Sequence, residues 1–346
     1  MIIFDLLLFM KNVCLNRKYI TTFCLLLTSC YTLTAQEWPE IQPEARPATR
    51  WWWMGSAVDE VNLTYNLEEY AKAGLGGVEI TPIYGVQGND ANNLSFLSPE
   101  WMKMLRHTQD EGKRLGIEID MNTGTGWPFG GPEVDMKDAA TKAIFQSYQV
   151  KGGEAVSLDV SVRDKRQKPV AHLSCAMAYS DKKHCLNLTS YVHDGILQWQ
   201  VPEGKWEIVV LYVGKTFQKV KRAAPGGEGY VMNHLDRDAV KRYFSKFDRA
   251  FRENKMVYPH TFFNDSYEVY GADWTPDFLE QFARRRGYKL ENHFLEFLDQ
   301  GRPDITARIV SDYRETISEL LIENFSKQWT AWALSLIHIS EPTRLR

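Results

Sequence analysis

The chain has 346 residues and carries 41 Lys and Arg against 44 Asp and Glu, a formal net charge of −3, which excludes a strongly basic nucleic-acid binder. At 44 % hydrophobic and 25 % charged residues, the composition is that of a globular protein and excludes low-complexity disorder and collagen-like repeats. Aromatic residues make up 13 % of the chain; several gather around Gly, Asp and Asn, a grouping that suits a sugar-binding cleft, although aromatics fill cores first.

Residues 1–35 join a basic stretch (Lys11, Arg17, Lys18) to an apolar run from Tyr19 to Leu27 and then to small and polar residues ending at Ala35. This is the pattern of a secretory signal peptide. No stretch approaches the roughly 20 apolar residues of a transmembrane span. Two exits are open: cleavage after Ala35 gives a soluble protein, whereas Leu27-Thr28-Ser29-Cys30 resembles a bacterial lipobox that would make Cys30 a lipid anchor. Either exit predicts a periplasmic or cell-surface protein. Outside this segment only Cys175 and Cys185 remain, able to pair in an oxidising compartment or to stay as buried thiols on neighbouring strands.

Along the remaining chain, Arg50 to Met54 reads as an aromatic strand, and Asp59 to Ala73 as a helix with apolar positions at Val61, Leu63, Leu67, Tyr70 and Ala71. Gly77 to Thr81 is a second strand, Ser98-Pro99-Glu100 opens a helix that runs to Leu115-Gly116, and Ile117 to Asn122 is a third strand. This strand–helix alternation predicts a parallel sheet. From Thr141 to Pro225 the pattern changes to strands without helices, at Ala143–Val150, Val170–Tyr179, Ile196–Val201 and Trp206–Val213, which predicts an inserted antiparallel module. Helical spacing returns over Asp236–Asn254, a strand follows at Thr261–Asp265, then a helix from Thr275-Pro276 to Gly287 and a long one over Asp304–Trp332. Leu334 to Arg344, LSLIHISEPTR, continues no earlier pattern and resembles the translation of a sequencing-library adapter; residues 334–346 are read as a non-native tail, the alternative being a natural polar one.

The predicted organisation is therefore a signal peptide (1–35), the first part of a β/α barrel (36–140), an inserted β module (141–225), a continuation of the barrel (226–333) and the tail. Without the module, residues 36–333 number about 210, short of the roughly 250 of an eight-stranded barrel. The expected fold class is α/β, a (β/α)8 barrel present as about its first half, with four strand–helix units and open sheet edges.

In such a barrel the residues that follow each strand face the active site. They are Trp53 after the first strand, Glu79 on the second, Asp120 and Asn122 on the third with the loop Thr123 to Pro132, and Asn264-Asp265-Ser266-Tyr267-Glu268 after the fourth. The Gly-rich loop lacks the Lys-Ser/Thr ending of a phosphate loop; its glycines suit presentation of Trp127 to the C–H face of a sugar, the alternative being a Trp packed under the rim. Glu268 is the leading catalytic carboxylate, because glycoside hydrolysis needs a proton donor at the leaving oxygen and a second carboxylate. Proximity to Asp265 and partial burial would raise its pKa. Asp265 and Asp120 equally suit turn caps, and Glu79 a rim hydrogen bond. The histidines form no metal or triad signature. His107 is expected at the surface, and His234, after the loop Ala224 to Tyr230, at the edge of the cleft; Arg284-Arg285-Arg286 reads as a solvated helix end.

Six blocks occur in order: Arg50-Trp51-Trp52-Trp53-Met54-Gly55, Gly76 to Ile80, Ser98-Pro99-Glu100-Trp101, Thr125 to Pro132, Val201 to Trp206 and Asp265 to Glu268. Together they resemble glycoside hydrolase family 106, the α-L-rhamnosidases of Bacteroidetes type, over roughly Trp38 to Trp332. The resemblance implies a secreted β/α-barrel enzyme that removes terminal α-L-rhamnosyl residues from plant polysaccharide or glycoside side chains with inversion. It implies two Glu residues, of which Glu268 matches the general acid while the base follows a later strand, beyond Ala333. It also implies a calcium ion near the site, for which Asp265 is the candidate ligand. The expected partner is an oligo- or polysaccharide. The competing readings are another glycosidic specificity on the same scaffold and a non-catalytic carbohydrate-binding protein.

Overall fold

A computed structural model describes residues 39, 41–42, 45–180, 184–264, 267–298 and 303–336. The expected signal segment with Cys30, the candidate Asp265, and the tail beyond Leu336 lie outside them. The chain divides between Ala45 and Arg46, and the structure from Arg46 onward is described below.

Four parallel strands, β1 (Ala48–Met54), β2 (Gly77–Ile83), β3 (Glu118–Asn122) and β13 (Phe262–Phe263), pair in the order β1-β2-β3-β13. They form an open sheet that does not close into a barrel among the described residues. Helix α1 (Glu60–Lys72) links β1 to β2, and α2 (Pro99–Leu115) links β2 to β3. Ser98 caps α2 as the sequence predicts, accepting from the Trp101 amide ahead of Pro99, and Gly116 ends that helix at φ 67°; Asp59, read as the first residue of the helical stretch, is instead the cap of α1 and accepts from the Asn62 amide.

Side chains alternate across a strand, and this sheet uses the two faces differently. Trp51, Trp53, Val78, Ile80, Ile119 and Met121 share a buried core with Leu63 and Leu67 of α1 and Trp101 and Leu105 of α2. The opposite face carries Arg50, Trp52, Glu79, Thr81, Asp120 and Asn122. His107, expected at the surface, is half-buried, because its Nε2 lies 2.8 Å from Thr64 Oγ1 and ties α2 to α1.

Residues 130–231 hold the remaining strands. β5 (Thr141–Lys151), β7 (His172–Ser180), β8 (Cys185–Asn187) and β11 (Lys205–Lys215) form an antiparallel sheet in the order β5-β11-β7-β8. β6 (Ala155–Asp159), β10 (Ile196–Gln200) and β9 (Val192–His193) form a second, and β4 (Gly130–Gly131) pairs with β12 (Tyr230–Val231). β11 is buried on both faces. Ile208, Val210 and Tyr212 join Leu197 and Trp199 of β10 in one core, while Val209, Leu211 and Val213 face a second. That burial explains its unbroken apolar run. Cys175 and Cys185 are free thiols on adjoining strands, and burial pushes the Cys175 thiol up to about 12.

The second core of β11 is completed by Phe278 and Phe282 of α4 (Phe278–Arg286), Phe294 of α5 (Phe294–Leu298), and Ile309 and Leu320 of α6 (Pro303–Leu320). The helix after the fourth strand thus packs on the antiparallel sheet, not on its own strand. β13 is covered instead by α3 (Arg237–Glu253) and α7 (Lys327–Leu336): Trp332 stacks on Phe244 at 4.7 Å, lies 4.8 Å from Phe262 and donates to Asp248 Oδ1. The predicted single helix over 304–332 is interrupted by a π-helical segment, Leu321–Ser326, which turns Phe325 into the core and lets Asn324 donate to the Leu235 carbonyl. Nor is the Arg284–Arg286 end solvated throughout. Arg285 and Arg286 are only 13 % and 11 % exposed and pair with Glu319, Glu323 and Glu315. Among the described residues no helix is long and apolar enough to cross a membrane.

His234, expected at the edge of the cleft, lies at 3 % exposure inside an aromatic box. Its ring stacks toward Phe129, meets Phe325 and Tyr267 edge-on at 4.7 and 5.0 Å, and its Nδ1 lies 2.9 Å from the Met232 carbonyl. Burial holds the imidazole down at about 4, against an ordinary 6.5. As pH falls from 6.5 toward 4 the unfolded chain takes up a proton that the folded chain refuses, so stability drops over that window. Denaturant unfolding at pH 7.5 and pH 5.0 should reveal a loss of about 2 kcal/mol attributable to this group. His234→Phe should remove that share of the pH dependence, and an unchanged dependence would contradict the buried neutral imidazole.

Candidate functional site

The residues at the C-terminal ends of the parallel strands fall into two groups. Trp53, a sequence-predicted contact, is 1 % exposed and sits 5.5 Å from Trp101 in the helix-side core, so it does not reach the open face. Its neighbour Trp52 does. It is 43 % exposed and its ring centroid lies 6.4 Å from that of Trp127. The Arg50 guanidinium lies 5.3 Å from the centre of the Trp52 ring and 5.0 Å from that of Phe263.

Glu79 is held in the face rather than at a free rim: Thr81 donates to its Oε1 at 2.6 Å, and Arg50 Nε lies 3.5 Å from the same oxygen. Asp120 Oδ1 meets His260 Nδ1 at 3.0 Å, and His260 Nε2 lies 3.4 Å from Glu118 Oε1. Asn122 is 1 % exposed, and its Oδ1 is buried without a hydrogen-bond partner. An orphaned buried acceptor of this kind is a polar group whose desolvation is not offset within the described residues.

Trp127 is half-buried and precedes a cis peptide to Pro128. Its loop is fixed from the side. Trp127 N–H donates to the Lys221 carbonyl and Lys221 N–H to the Trp127 carbonyl, at 3.1 and 3.0 Å. Gly126 makes the approach possible: it has φ 53°, and a Cβ there would fall 2.0 Å from the Lys221 oxygen. On its other side the same basic segment accepts the Tyr84 amide at the Arg222 carbonyl.

Glu268 follows β13 on a loop anchored to this segment. Gln218 donates from Nε2 to the Glu268 carbonyl at 2.7 Å and accepts the Tyr270 amide at Oε1 at 2.8 Å. The Tyr270 hydroxyl lies 3.4 Å from Glu268 Oε2. Tyr267, the residue before, rests on the buried His234 ring. Direct contacts therefore join Trp52 to Trp127, Trp127 to Lys221, Lys221 to Tyr270 and Tyr270 to Glu268 around one end of the sheet, and Arg222, next to Lys221, reaches Tyr84. The first strand's alternation carried the signal for Trp52. Gln218, Lys221 and Arg222 fall within residues 141–225, where the sequence marks only a β module.

Chemically, a carboxyl group on a loop pinned at its backbone, beside exposed aromatic rings, suits proton donation to a bound sugar derivative. Among the described residues no three His, Cys, Asp or Glu side chains converge as a metal site, and Asp265 lies outside them, so no step is derived through calcium. Three clefts of about 500, 660 and 520 Å³ open elsewhere, beside Asp236 and Arg285, beside Trp206 and His293, and beside Tyr288 and Arg308.

The family model described as alpha-L-rhamnosidase, glycoside hydrolase family 106, matches residues 40–169 and 160–334. A relative from Formosa agariphila that carries the provisional name beta-glucuronidase is 26 % identical over 329 residues, covering 82 % of this chain and 28 % of that protein. The solved rhamnosidase from Novosphingobium sp. PP1Y is similar with a TM-score of 0.66 at 16 % identity, over 86 % of this chain and 46 % of that one; this likeness is one of fold. The chain thus spans less than a third of the curated relative and under half of the solved structure. With the family model matched across both stretches from residue 40 to residue 334, the chain belongs to glycoside hydrolase family 106, the alpha-L-rhamnosidases.

Proposed function

We propose that the whole protein hydrolyses terminal α-L-rhamnosyl residues on plant polysaccharide or glycoside side chains, with inversion, and that Glu268 is its general acid. The observation that carries the proposal is the anchored Glu268 loop at the end of β13, clamped by Gln218 and flanked by Tyr270. In an inverting mechanism the acid protonates the departing oxygen while a second carboxylate activates water on the opposite face of the sugar. The resemblance assigns that second role to a Glu after a later strand. The parallel sheet is read as the first part of a (β/α)8 barrel, residues 36–140 and 226–333, with residues 141–225 inserted. Trp52 and Trp127 are read as the platform for the sugar's C–H face, with Asp120, Asn122 and Asp265 as polar neighbours. Calcium enters this reading by resemblance alone. Export through residues 1–35, ending at Ala35 or at a lipidated Cys30, belongs to the same proposal, as does the non-native character of residues 334–346.

A second reading, another glycosidic specificity on the same scaffold, is favoured by the name of the Formosa agariphila relative, because a fold does not fix the sugar. Aryl α-L-rhamnoside and aryl β-glucuronide, each offered to the full-length protein, separate the two. Turnover of the first alone supports the rhamnosidase, turnover of the second alone the other specificity, and binding without turnover of either a carbohydrate-binding protein.

Glu268→Gln is expected to lower kcat/KM on a rhamnoside with a poor leaving group by roughly 100- to 10,000-fold. The loss should be smaller on a nitrophenyl rhamnoside, whose leaving group needs less protonation; equal losses on both would argue against the general-acid role. Trp127→Ala should raise KM about tenfold with little change in kcat, the size expected for one aromatic contact, and an unchanged KM would remove Trp127 from the platform.

A further inference from the structure

The segment Lys219 to Arg222 leaves β11 and runs along the end of the parallel sheet, bonded to Trp127 on one side and to Tyr84 on the other. Its three cations are all exposed, and each lies over an aromatic ring: Lys219 over Tyr230 at 5.8 Å, Lys221 over Tyr270 at 4.6 Å and Arg222 over Tyr84 at 5.4 Å. Arg222 also donates to the Tyr84 hydroxyl at 3.2 Å. None of the three has a carboxylate partner among the described residues. A ring face orients a cation and attracts it, yet leaves its full charge uncancelled. The segment is therefore a fixed positive strip on a protein whose net charge is −3.

Two of the rings, Tyr84 and Tyr270, are 41 % and 58 % exposed, so each pair offers an open aromatic edge beside a charged donor. That combination fits a sugar ring bearing an anionic group. Two carboxylates stand close by. Glu228 accepts the Gly226 amide at its Oε2, and Glu268 is near Tyr270.

We infer that Lys221 and Arg222, with Tyr84 and Tyr270, form an acceptor-side subsite that selects substrates whose leaving sugar carries an anionic group. The inference rests on the rhamnosidase reading, in which Glu268 delivers its proton to the oxygen of that leaving sugar. The group sits beyond the scissile bond, on the side from which the acid acts. Two chemistries share this description, a uronate carboxylate and a sulfate ester. The Arg222 fork can grip either through paired N–H donors.

The test compares the full-length protein with the Lys221→Gln/Arg222→Gln double variant on three rhamnosyl disaccharides, one ending in a uronic acid, one in its carboxyl-reduced neutral counterpart and one in the neutral sugar bearing a sulfate ester. The expected result is a preference of about tenfold or more in kcat/KM for an anionic acceptor over the neutral one, expressed mainly in KM. It should shrink as salt is raised and fall to about unity in the double variant. Uronate above sulfate identifies the carboxylate as the natural anion, and the reverse order the sulfate. Absence of any anionic preference, or its survival in the double variant, overturns the subsite. Neither substitution touches a buried group, and the salt dependence of the unaltered protein tests the same point without mutation. Hydrolysis of neutral aryl rhamnoside without anionic preference would sink the subsite and leave the rhamnosidase. Calorimetric binding of the uronate disaccharide, lost in the double variant with no rhamnoside cleaved, would do the reverse.

Discussion

The antiparallel bridge between Trp127 and Lys221 ties the inserted strands to the end of the parallel sheet, and it depends on Gly126. Any other residue there would drive a Cβ into the Lys221 carbonyl while holding a left-handed backbone that L side chains disfavour. Because Lys221 lies on the chain leaving β11, and β11 is buried on both faces, the position of the bridge is inherited from a deeply packed strand. The rim thus gains rigidity from burial elsewhere, as a binding surface built on loops requires. Gln218 extends the same logic three residues earlier, since one amide side chain satisfies both the Glu268 carbonyl and the Tyr270 amide.

The two faces of the parallel sheet divide stability from function. The helix side is a continuous apolar core running from Trp51 to Phe251. The other side carries the Arg50–Glu79 ion pair and the contacts of His260 with Asp120 and Glu118. Partly buried charges are tolerated only when paired, so these contacts keep that face ordered while leaving Trp52 open. His234 works from behind in a different way. Its neutral ring fills an aromatic box and supports Tyr267, next to Glu268, without contributing a charge.

Much of this architecture is legible in the residues, because local rules govern it. Ser98-Pro99 and Gly116 delimit one helix by capping chemistry, apolar spacing marks the one before it, and the run of strands without helices in residues 141–215 announces the antiparallel sheets. What escapes is settled by distant partners. Alternation sets Trp52 apart from Trp51 and Trp53 but does not say which side meets the helices; Tyr70 and Trp101 decide it, and they bury Trp51 and Trp53. Arg284 to Arg286 reads as a solvated end until Glu315, Glu319 and Glu323 arrive from α6 and the π segment. Likewise the helix from Phe278 reads as the companion of the preceding strand, whereas its paired Phe278 and Phe282 answer to the apolar underside of β11. The π turn at Leu321 leaves no mark in the helical periodicity on either side, yet it turns Phe325 toward Phe129 and His234.

The same distinction bears on specificity. A family fold supplies a sheet end, a loop carrying Glu268 and a place for one sugar, and many chemistries share such frames. Discrimination between substrates must come from groups whose contacts depend on what lies beyond that sugar. In the proposed reading those groups sit on Thr216 to Arg222, the segment that follows β11 of the antiparallel sheet. A change in the inserted module that shifted β11 by one residue would displace Lys221 and Arg222 and, through the Gln218 clamp, the loop of Glu268 as well. In the proposed reading, acceptor recognition and proton donation are coupled, because Gln218 ties the loop of Glu268 to the segment that carries Lys221 and Arg222.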